Sequence, residues 1–339
     1  MASQQQAPSP LLIFSTFNAY QRTAALRAAV ELDMFTAIGE GNQAPAGIAK
    51  RCQASERGIR ILCDYLVIIG LLDKNDGRYA LTPDSAMFLD RRSPACIAAA
   101  STFLSSPTLT SGFNDLASAV RKGGTIVSAE GTMEPDHPVW VEFARSMAPM
   151  MVMPSRFIAN LVAESGYKAG KVLDIAAGHG LFGIAIAQAM PEAHIVAVDW
   201  ANVLMVAQEN AAAAGIESRY STIPGSAFDV DFGTGYDLVL LTNFLHHFDP
   251  ATCESLMRKI RGSIAGGGRV ITLEFVPNED RVTPPEAAGF SMMMLGTTAH
   301  GDAYPFSEYD RMFRNAGFGR SEIHAVPQMP ASVIVSSLT

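Results

Sequence analysis

Two adjacent histidines in the second half of the chain are of the type that moves a proton. His246 and His247 follow a mainly apolar segment at 237–243, and Glu274 lies near the end of another at 269–275. An imidazole has an unperturbed pKa near 6.5, so at pH 7 it is substantially neutral and can accept a proton from a phenol with a pKa of about 10. A carboxylate bonded to one ring nitrogen would orient the imidazole. The pattern predicts general-base catalysis, with His246, His247 and Glu274 as candidate catalytic residues.

Each candidate also has an ordinary structural role open to it. Glu274 could cap the end of a strand or pair with Arg269, and His300 could line a pocket or lie exposed in a loop. Neighbouring loop residues rarely point at the same position, so His247 is expected to support His246 rather than to act as the base. The histidines lack a cluster of further ligands at metal spacing, and no metal is expected.

A strand that ends in a turn of small residues offers a cofactor site. Residues 172–180 read Val-Leu-Asp-Ile-Ala-Ala-Gly-His-Gly, and only small residues let the backbone approach a ligand closely. A second expected strand, 194–199, ends at Asp199, whose carboxylate can accept hydrogen bonds from both hydroxyls of a ribose. Asp174 would repel a pyrophosphate but suits a cationic cofactor such as S-adenosylmethionine, which carries a sulfonium and an ammonium group.

Two alternatives are open at this turn. Gly178, Gly180 and Gly183 match the G-x-G-x-x-G pattern of dinucleotide sites, which is compatible with a nicotinamide-dependent oxidoreductase. The turn could also merely pack a strand against a helix, with Asp174 capping backbone amides. Because glycines and two strand-end acids occur together at the spacing of one βαβ unit, we expect a cofactor site, and the charge of Asp174 favours S-adenosylmethionine.

Short apolar strands alternate with helices from residue 171 onwards. Strands are expected at 172–175, 194–199, 237–243 and 269–275, and helices near 181–190, 202–214 and 250–262. The alternation predicts an α/β fold, a Rossmann-like doubly wound parallel sheet that binds ligands at the carboxyl ends of its strands. A helix at 307–316 and an antiparallel hairpin of 321–326 with 332–338 are expected to close the sheet.

The first 93 residues predict a mainly helical domain. A helical pattern covers 18–39, a short helix follows at 45–52, and a third begins after Ser55. Asn75-Asp76-Gly77 then separates two short strands, and Asp-Gly supplies the positive φ of a hairpin turn. Three helices followed by a hairpin predict a winged helix.

A winged helix can read DNA, so a DNA-binding regulator is a further alternative. The helix after Ser55 carries Arg57 and Arg60, but Glu56 and Asp64 nearly cancel their charge. The whole chain has a net charge of −8, which disfavours a nucleic-acid partner because such binding depends on clustered Lys and Arg. We expect a packing and dimerisation module instead.

Length and composition suit more than one domain. The 339 residues are 48% hydrophobic and can bury more than one core. We expect a winged-helix dimerisation domain at 11–93, a helical bridge at 94–165 that contributes to the substrate pocket, and a Rossmann-like catalytic domain at 166–339. The four dispersed cysteines indicate neither a zinc site nor disulfides, and the sequence shows neither a signal peptide nor a membrane span. A cytoplasmic protein without membrane contact is expected.

Six segments carry a resemblance to a known family. They are VLDIAAGHG (172–180), IVAVDW (195–200), PGSAF (224–228), DLVLLTNFLHHFD (237–249), GGGRVITLEF (266–275) and FSEYDRMFRNAGF (306–318). From Ala24 onwards the chain resembles the S-adenosylmethionine-dependent O-methyltransferases that include plant caffeate and flavonoid enzymes and bacterial polyketide-tailoring enzymes. The resemblance implies a homodimer with swapped winged-helix domains, a Rossmann-like domain with an added antiparallel strand, and S-adenosylmethionine as cofactor.

The resemblance also implies which residues surround the cofactor. The family's adenine-binding Asp-Met pair falls on Ser226 and Ala227, and a lysine before the catalytic histidine falls on Thr242, so these contacts depart from the family pattern. Phe228 could cover the adenine ring or belong to the core. The candidate cofactor-binding residues are Asp174, Ala176, Gly178, Gly180, Asp199, Trp200, Ser226, Ala227, Phe228, Thr242 and Asn243.

His246 aligns with the family's catalytic histidine and Glu274 with its orienting acid, while His247 replaces an aspartate. A second acid aligns near Ala303, where only Asp302 could replace it. Methionine runs beside aromatic residues predict a hydrophobic acceptor, aromatic or polyketide-like. The candidate substrate-binding residues are Trp140, Phe143, Met147, Met150, Met151, Phe290, Met293, Met294 and His300. Methylation at nitrogen or carbon, or a non-methylating reaction on the same scaffold, is the nearest alternative.

Overall fold

The computed structural model describes residues 8–133 and 137–338, and the chain divides into two compact units. The first unit ends at Ser105 and the second begins at Ser106. The segment 94–165, expected as a separate bridge, is therefore shared: residues 94–105 belong to the first unit and 106–165 to the second. Each unit has a hydrophobic core of its own.

The first unit is mainly helical and contains one hairpin. Its helices are α1 (Leu11–Phe17), α2 (Tyr20–Glu31), α3 (Met34–Gly39), α4 (Pro45–Arg51), α5 (Glu56–Ile68), α6 (Pro83–Phe88) and α7 (Ala100–Leu104), and its strands are β1 (Leu72–Asn75) and β2 (Arg78–Leu81). Asp76 and Gly77 both have positive φ and close the antiparallel hairpin, as expected for Asp-Gly. The order of helices and hairpin is that of a winged helix, which confirms the predicted fold class of the N-terminal part.

The helical pattern over 18–39 is not one helix. Asp33 adopts a φ of 56°, in the left-handed region, and this turn separates α2 from α3. All five residues from Met34 to Ile38 are buried, and a single amphipathic helix presents only one face to a core. The break at Asp33 lets α3 lie inside the domain.

A seven-stranded sheet forms the centre of the second unit, in the order β5-β4-β3-β6-β7-β9-β8. The strands are β3 (Lys171–Ile175), β4 (His194–Asp199), β5 (Tyr220–Pro224), β6 (Tyr236–Thr242), β7 (Ile264–Phe275), β8 (Ser321–Ala325) and β9 (Ala331–Ser337). Strands β3 to β7 are parallel, whereas β9 pairs antiparallel with both β7 and β8. This confirms the predicted α/β fold and its antiparallel closing hairpin.

Two strands differ from the sequence-based expectation. Strand β5 was not predicted, because Tyr-Ser-Thr-Ile-Pro at the sheet edge is half-buried and lacks an apolar run. Strand β7 starts five residues earlier than expected, at Ile264, and its register with β6 shifts between Tyr236 and Leu238. The three glycines at 266–268 allow this irregular start.

Helices cover both faces of the sheet. They are α8 (Pro107–Ser111), α9 (Leu116–Lys122), α10 (Val139–Glu164), α11 (Leu181–Ala189), α12 (Ala201–Ala213), α13 (Pro250–Ser263), α14 (Pro285–Ala288), α15 (Phe290–Thr297) and α16 (Phe306–Asn315). Helices α13 and α16 pack with β3, β6 and β7 in the main core, and α10 packs on α11 and α12. The order in which the strands are added to the sheet reverses between β3 and β6. Because β3, β4, β6 and β7 are parallel, the loops that follow them lie at the same edge of the sheet.

Within residues 8–133 and 137–338, no helix combines the length and the apolar composition needed to cross a membrane.

We predict that Asp249→Ala lowers the free energy of unfolding by about 1 kcal/mol, the usual cost of losing an N-cap. Asp249 Oδ1 accepts the backbone N–H of Thr252 at 2.9 Å at the start of α13. The Thr252 backbone hydrogen bond lowers the pKa of Asp249, so this stabilisation is present above about pH 4 and is lost as the pH falls through the folded-state pKa. Urea unfolding at pH 7 and at pH 2.5 measures it. Equal differences between the two proteins at both pH values would contradict the cap.

Candidate active site

The turn after β3 is joined to the end of β4. The backbone N–H of Gly178 donates to Asp199 Oδ2 at 2.8 Å, and the N–H of Trp200 donates to Oδ1 at 2.7 Å. Gly180 has a φ of 74°, and a Cβ there would lie 2.6 Å from the hydroxyl oxygen of Tyr220. Glycine is therefore required at this position both by its backbone conformation and by the space available.

Asp174 is a buried carboxyl with one oxygen that lacks a protein donor. Its Oδ2 accepts the backbone N–H of Gly183 at 3.1 Å, while Oδ1 has no hydrogen-bond partner among the described residues. Burial, reinforced by the charge of Asp199, raises the pKa of Asp174 to about 8. A positively charged ligand close to this carboxyl would favour its ionised form.

Asp199 lies at the carboxyl end of β4, as predicted. Burial raises the pKa of Asp199 to about 6, although the N–H groups of Gly178 and Trp200 oppose this shift. A carboxylate at this strand end keeps further lone pairs for ligand hydroxyl groups, because each oxygen can accept two hydrogen bonds. The two acids, together with the glycine turn, form one acidic and tightly packed part of the edge.

Glu274 and His246 form a buried pair at the ends of β7 and β6. Glu274 Oε1 accepts the backbone N–H groups of Phe244 and Leu245 at 3.0 and 2.8 Å, and Oε2 bonds to His246 Nδ1. Both side chains are almost fully buried. Because a carboxylate only accepts, the proton of the neutral ring lies on Nδ1, and this tautomer leaves the lone pair on Nε2. The alternative partner, Arg269, instead donates to Ser165 Oγ at 3.3 Å.

His247 is adjacent to His246 but has a different environment. Its ring centroid lies 4.2 Å from that of His246 and 5.3 Å from that of Trp140, with Trp140 in an edge-on orientation. Nδ1 of His247 is buried and has no hydrogen-bond partner in the described chain. Burial, and then the neighbouring His246, lower the pKa of His247 well below its ordinary value. His247 is thus held as a neutral imidazole.

The residues expected around an adenine lie between β4 and α13. Ser226 Oγ accepts the backbone N–H of Phe228 at 3.2 Å, and Lys259 Nζ donates to the carbonyl oxygens of Ala227 and Phe228 at 3.0 and 2.8 Å. The Phe228 ring packs edge-on against Phe248, with a centroid distance of 5.0 Å. Phe228 is half-buried against the main core, so it can serve both of the roles considered for it.

Thr242 and Asn243 end β6 beside the pair. Thr242 is buried. Asn243 has a φ of 52°, and its backbone N–H donates to the carbonyl oxygen of Leu273 at 2.8 Å, which joins the ends of β6 and β7. Its side-chain Nδ2 lies 3.7 Å from the sulfur of Met151. This contact brings the methionine face of α10 to the same edge of the sheet.

Helix α10 presents aromatic and methionine side chains next to the turn after β3. Trp140 Nε1 donates to the carbonyl oxygen of Thr132 at 2.9 Å, which fixes the ring that contacts His247. Phe143 lies 3.7 Å from the position of a Cβ on Gly178. All three predicted methionines of α10 are buried or half-buried: Met147, Met150 and Met151.

Helix α15 also contributes side chains around His246. The Phe290 ring lies edge-on to His246 at 4.9 Å between centroids and stacks on Phe275 at 3.8 Å. Met294 is buried and Met293 is half-buried, whereas Met292 is exposed. Of these predicted residues, Phe290 thus lies directly next to His246.

Two expectations around this helix need correction. His300 is exposed, so it follows the surface-loop alternative and not the pocket. The carboxylate of Asp302 does not face His246: Oδ2 accepts from Arg281 Nη1 at 2.9 Å and Oδ1 from the N–H of Ala303 at 2.8 Å. Both oxygens are engaged away from the histidine, so Asp302 does not replace the second acid by its side chain.

Sequence reasoning did not select His179 and Tyr220 for this site. His179 Nδ1 accepts the backbone N–H of Leu181 at 3.1 Å, its ring stacks on Phe143, and burial lowers its pKa to about 4. Its place inside the glycine pattern was the available signal. The buried hydroxyl of Tyr220 has no hydrogen-bond partner among the described residues. Nothing in the sequence connects β5 to the turn, because only the fold brings them together.

Among the described residues, no group of three or more His, Cys, Asp or Glu side chains could hold a metal ion.

Comparison with known proteins identifies this arrangement. Residues 113–319 match the O-methyltransferase domain, and residues 14–91 match the O-methyltransferase dimerisation domain. The chain belongs to the O-methyltransferase family. The O-methyltransferase is therefore an enzyme that uses S-adenosylmethionine, as expected, and its N-terminal unit contains a dimerisation domain.

Relatives of this O-methyltransferase cover almost its full length. The 3-hydroxy-5-methyl-1-naphthoate 3-O-methyltransferase of Streptomyces sahachiroi is 28% identical over 94% of this chain and 91% of its own. A proposed O-methyltransferase of Nostoc punctiforme is 59% identical, with a TM-score of 0.95 over 98% of this chain and 100% of that one. Human N-acetylserotonin methyltransferase, solved with S-adenosylmethionine, shares the fold at 21% identity, with a TM-score of 0.83 over 99% of each chain.

The acids and glycines of the site fit this cofactor. Asp174 Oδ1 has no protein donor among the described residues, and Gly178 and Gly180 add no side chain to the turn that would block a ligand. We propose that Asp174 favours the positive charge of S-adenosylmethionine and that Asp199 binds its ribose.

We predict that Asp174→Asn stabilises the ligand-free protein at high pH but weakens cofactor binding. An amide oxygen can still accept from Gly183, yet the side chain is neutral at every pH. Folding raises the pKa of Asp174 to about 8, so ionisation of this carboxyl destabilises the folded protein. This cost is absent below about pH 4, where the carboxyl is protonated in both the folded and the unfolded state, and it grows as the pH rises towards 8. The variant should therefore unfold at a higher temperature than the wild type at pH 9, with a smaller difference at pH 5.

Scanning calorimetry at both pH values and titration calorimetry with S-adenosylmethionine test this. Because Asp199 is present in both proteins, its own titration affects both unfolding temperatures and is subtracted when the two are compared. Equal cofactor affinity in the two proteins would show that the Asp174 charge does not contribute to binding.

Proposed function

We propose that this O-methyltransferase methylates a hydroxyl group on a hydrophobic small molecule, phenolic or polyketide-like, with His246 as the general base. The observation that carries the assignment of the base is the buried His246–Glu274 pair, which leaves Nε2 of His246 as a proton acceptor. S-adenosylmethionine, when bound, supplies a methyl group already activated by its sulfonium.

The protein's own task is to align the acceptor and to take its proton. Glu274 fixes the tautomer and orientation of His246 and stabilises the imidazolium that forms when the acceptor hydroxyl loses its proton. Alignment of the two reactants supplies a large part of the rate enhancement in such displacements. His247, a neutral ring packed against Trp140, shapes the space beside the base and is not a second base.

The side chains next to the pair support an apolar acceptor. Phe290 and Trp140 contact the two histidine rings, and buried Met151 and Met294 lie on the neighbouring helices. Aromatic and methionine side chains adapt to flat hydrophobic molecules. The name of the Streptomyces sahachiroi relative, a naphthoate 3-O-methyltransferase, supports the same class.

We also propose that the enzyme is a homodimer and that its first unit binds a second copy and not a nucleic acid. Helix α1 has no buried residue, although it exposes Leu11, Leu12, Phe14 and Phe17 by 59% or more. Apolar patches of this kind commonly mark protein interfaces.

We place the protein in the cytoplasm, which agrees with four free cysteines, all within the described residues.

The substrate class is tested with S-adenosylmethionine carrying a carbon-13 methyl group. The acceptors are naphthol, hydroxynaphthoate and, as a matched amine, naphthylamine. Mass spectrometry counts the transferred methyl, and its carbon-13 chemical shift tells oxygen from nitrogen or carbon attachment. Methyl ethers from the hydroxylated acceptors support the proposal, whereas transfer only to the amine or to ring carbon contradicts it.

We predict that His246→Ala lowers turnover by about 10²- to 10⁴-fold, the range that general-base catalysis contributes. Its affinity for S-adenosylmethionine should not change, because the proposed cofactor contacts are made by other residues. His247→Ala is the matched control and should lose less activity, since a neutral ring is removed without removing the base. Steady-state kinetics and titration calorimetry measure both effects. Wild-type turnover in His246→Ala, or a greater loss in His247→Ala, would place the base elsewhere.

A further inference from the structure

The segment after α15 lies directly against the backbone of the two histidines. Asp302 donates its backbone N–H to the carbonyl oxygen of His246 at 2.9 Å. Gly301 is even closer, since a Cβ there would lie 2.3 Å from the same oxygen and 3.1 Å from the carbonyl carbon of His247. The N–H of Gly301 in turn donates to Thr298 Oγ1 at 2.9 Å. The position of His246 therefore depends on where the segment 298–302 is held.

One arginine holds this segment from outside. Arg281 donates through Nη1 to Asp302 Oδ2 at 2.9 Å and through Nη2 to Glu308 Oε1 at 2.7 Å. Asp302 lies in the segment 298–302, and Glu308 lies in the first turn of α16. A guanidinium has a planar arrangement of donors that can bridge two carboxylates, which the single ammonium of lysine does not reproduce.

The loop that carries Arg281 follows β7, the strand of Glu274. Asp280 Oδ1 accepts the backbone N–H groups of Val282 and Thr283 at 3.0 and 2.9 Å, and these bonds close the loop. Arg281 itself has a φ of 56°. Because an ordinary residue rarely adopts this left-handed conformation, the loop must hold it in place. Arg281 thus connects the strand that carries Glu274 to the segment that supports His246.

The bridge contributes little to global stability. The side chain of Arg281 is 43% exposed and that of Asp302 is 35% exposed. Ion pairs with this exposure typically contribute little to the free energy of unfolding, because water and salt screen them. Its main effect is therefore expected on the local geometry of the neighbouring site and not on unfolding.

We propose that Arg281 and Asp302 are positioning residues for His246. The inference rests on the proposed function of His246 as the base. Neither side chain contacts the imidazole: the two act by keeping the segment 298–302 against the His246 carbonyl, so that Nδ1 stays on Glu274 and Nε2 keeps its direction. A misplacement of about 1 Å at a reacting group can reduce turnover by about 100-fold.

Two alanine variants separate positioning from a general structural role. Asp302→Ala and Glu308→Ala each remove one carboxylate partner of Arg281, but only Asp302 lies in the segment bonded to His246. We expect Asp302→Ala and Arg281→Ala to lower kcat at least about 10-fold, with an unchanged KM for S-adenosylmethionine. Glu308→Ala should retain most of the activity. Thermal unfolding is expected to show similar, small shifts for all three variants.

A proton NMR measurement reports on the histidine without any acceptor. The buried Nδ1 proton of His246, bonded to Glu274, should give a separate downfield resonance that is absent from His246→Ala. We expect this resonance to shift or broaden in Asp302→Ala and Arg281→Ala and to keep its wild-type position in Glu308→Ala. A wild-type spectrum without it would contradict the held pair itself.

A double-mutant comparison keeps failure of this inference distinct from failure of the proposed function. In a His246→Ala background, adding Arg281→Ala should cause no further loss of the residual turnover, because a positioning residue has nothing left to position. An equal additional loss in both backgrounds would overturn the positioning role while leaving His246 as the base. Wild-type activity in His246→Ala would instead refute the base. Equal effects of Asp302→Ala and Glu308→Ala on kcat and on the resonance would also overturn the inference.

Discussion

The burial of the Glu274 carboxylate determines the geometry around which the site is built. An ionised carboxylate without partners costs several kcal/mol in a protein interior, so a fully buried one requires donors on both oxygens. Here they are two backbone N–H groups of 244–245 and the imidazole of His246. All of them come from one short segment after β6. The chain therefore has to wrap that segment around the end of β7, and the turn Leu245–His247 is the result.

Asp174, near the end of strand β3, has fewer hydrogen-bond donors than Glu274. Asp174 is as deeply buried as Glu274, yet it receives a single backbone hydrogen bond and its second oxygen has no donor in the described chain. Burial raises the pKa of Asp174, and the single hydrogen bond from Gly183 opposes this shift only in part. Both oxygens of Glu274 have protein donors, whereas the ionised form of Asp174 is favoured only when a positively charged ligand is close to it. The same end of the sheet thus holds one acid that orders the protein and another that we propose favours a positively charged cofactor.

Several elements could be predicted from the sequence because a local pattern of residues determines them. The strand at 194–199, the positive φ at Asp76 and Gly77, and the small-residue turn after β3 all follow from neighbours in the chain. The proximity of His246 and Glu274 follows from parallel strands ending at a common edge. Strand β5 escaped prediction because edge position removes the apolar run, and the break at Asp33 escaped because the turn uses an ordinary residue and not glycine.

Side-chain partners that a loop brings in from a distant segment could not be predicted. Asp302 was considered for its carboxylate, as a replacement for a second acid, but Arg281 binds that carboxylate from a loop 21 residues earlier in the chain. What reaches His246 is the backbone N–H of Asp302, which every residue except proline has. No pattern of residue types reveals such a contact. The exposure of His300 has the same cause, since the path of the loop decides it.

The adjacent histidines can divide their tasks because one carboxylate balances only one positive charge. In the proposed mechanism His246 accepts a proton, and its imidazolium then forms an ion pair with Glu274, so the buried site gains no uncompensated charge. A second imidazolium 4.2 Å away would have no such partner, since Nδ1 of His247 has none among the described residues. Burial and His246 both lower the pKa of His247, so its ring stays neutral while its neighbour is charged. In the proposed mechanism, the two adjacent histidines therefore act as one base and one neutral aromatic wall.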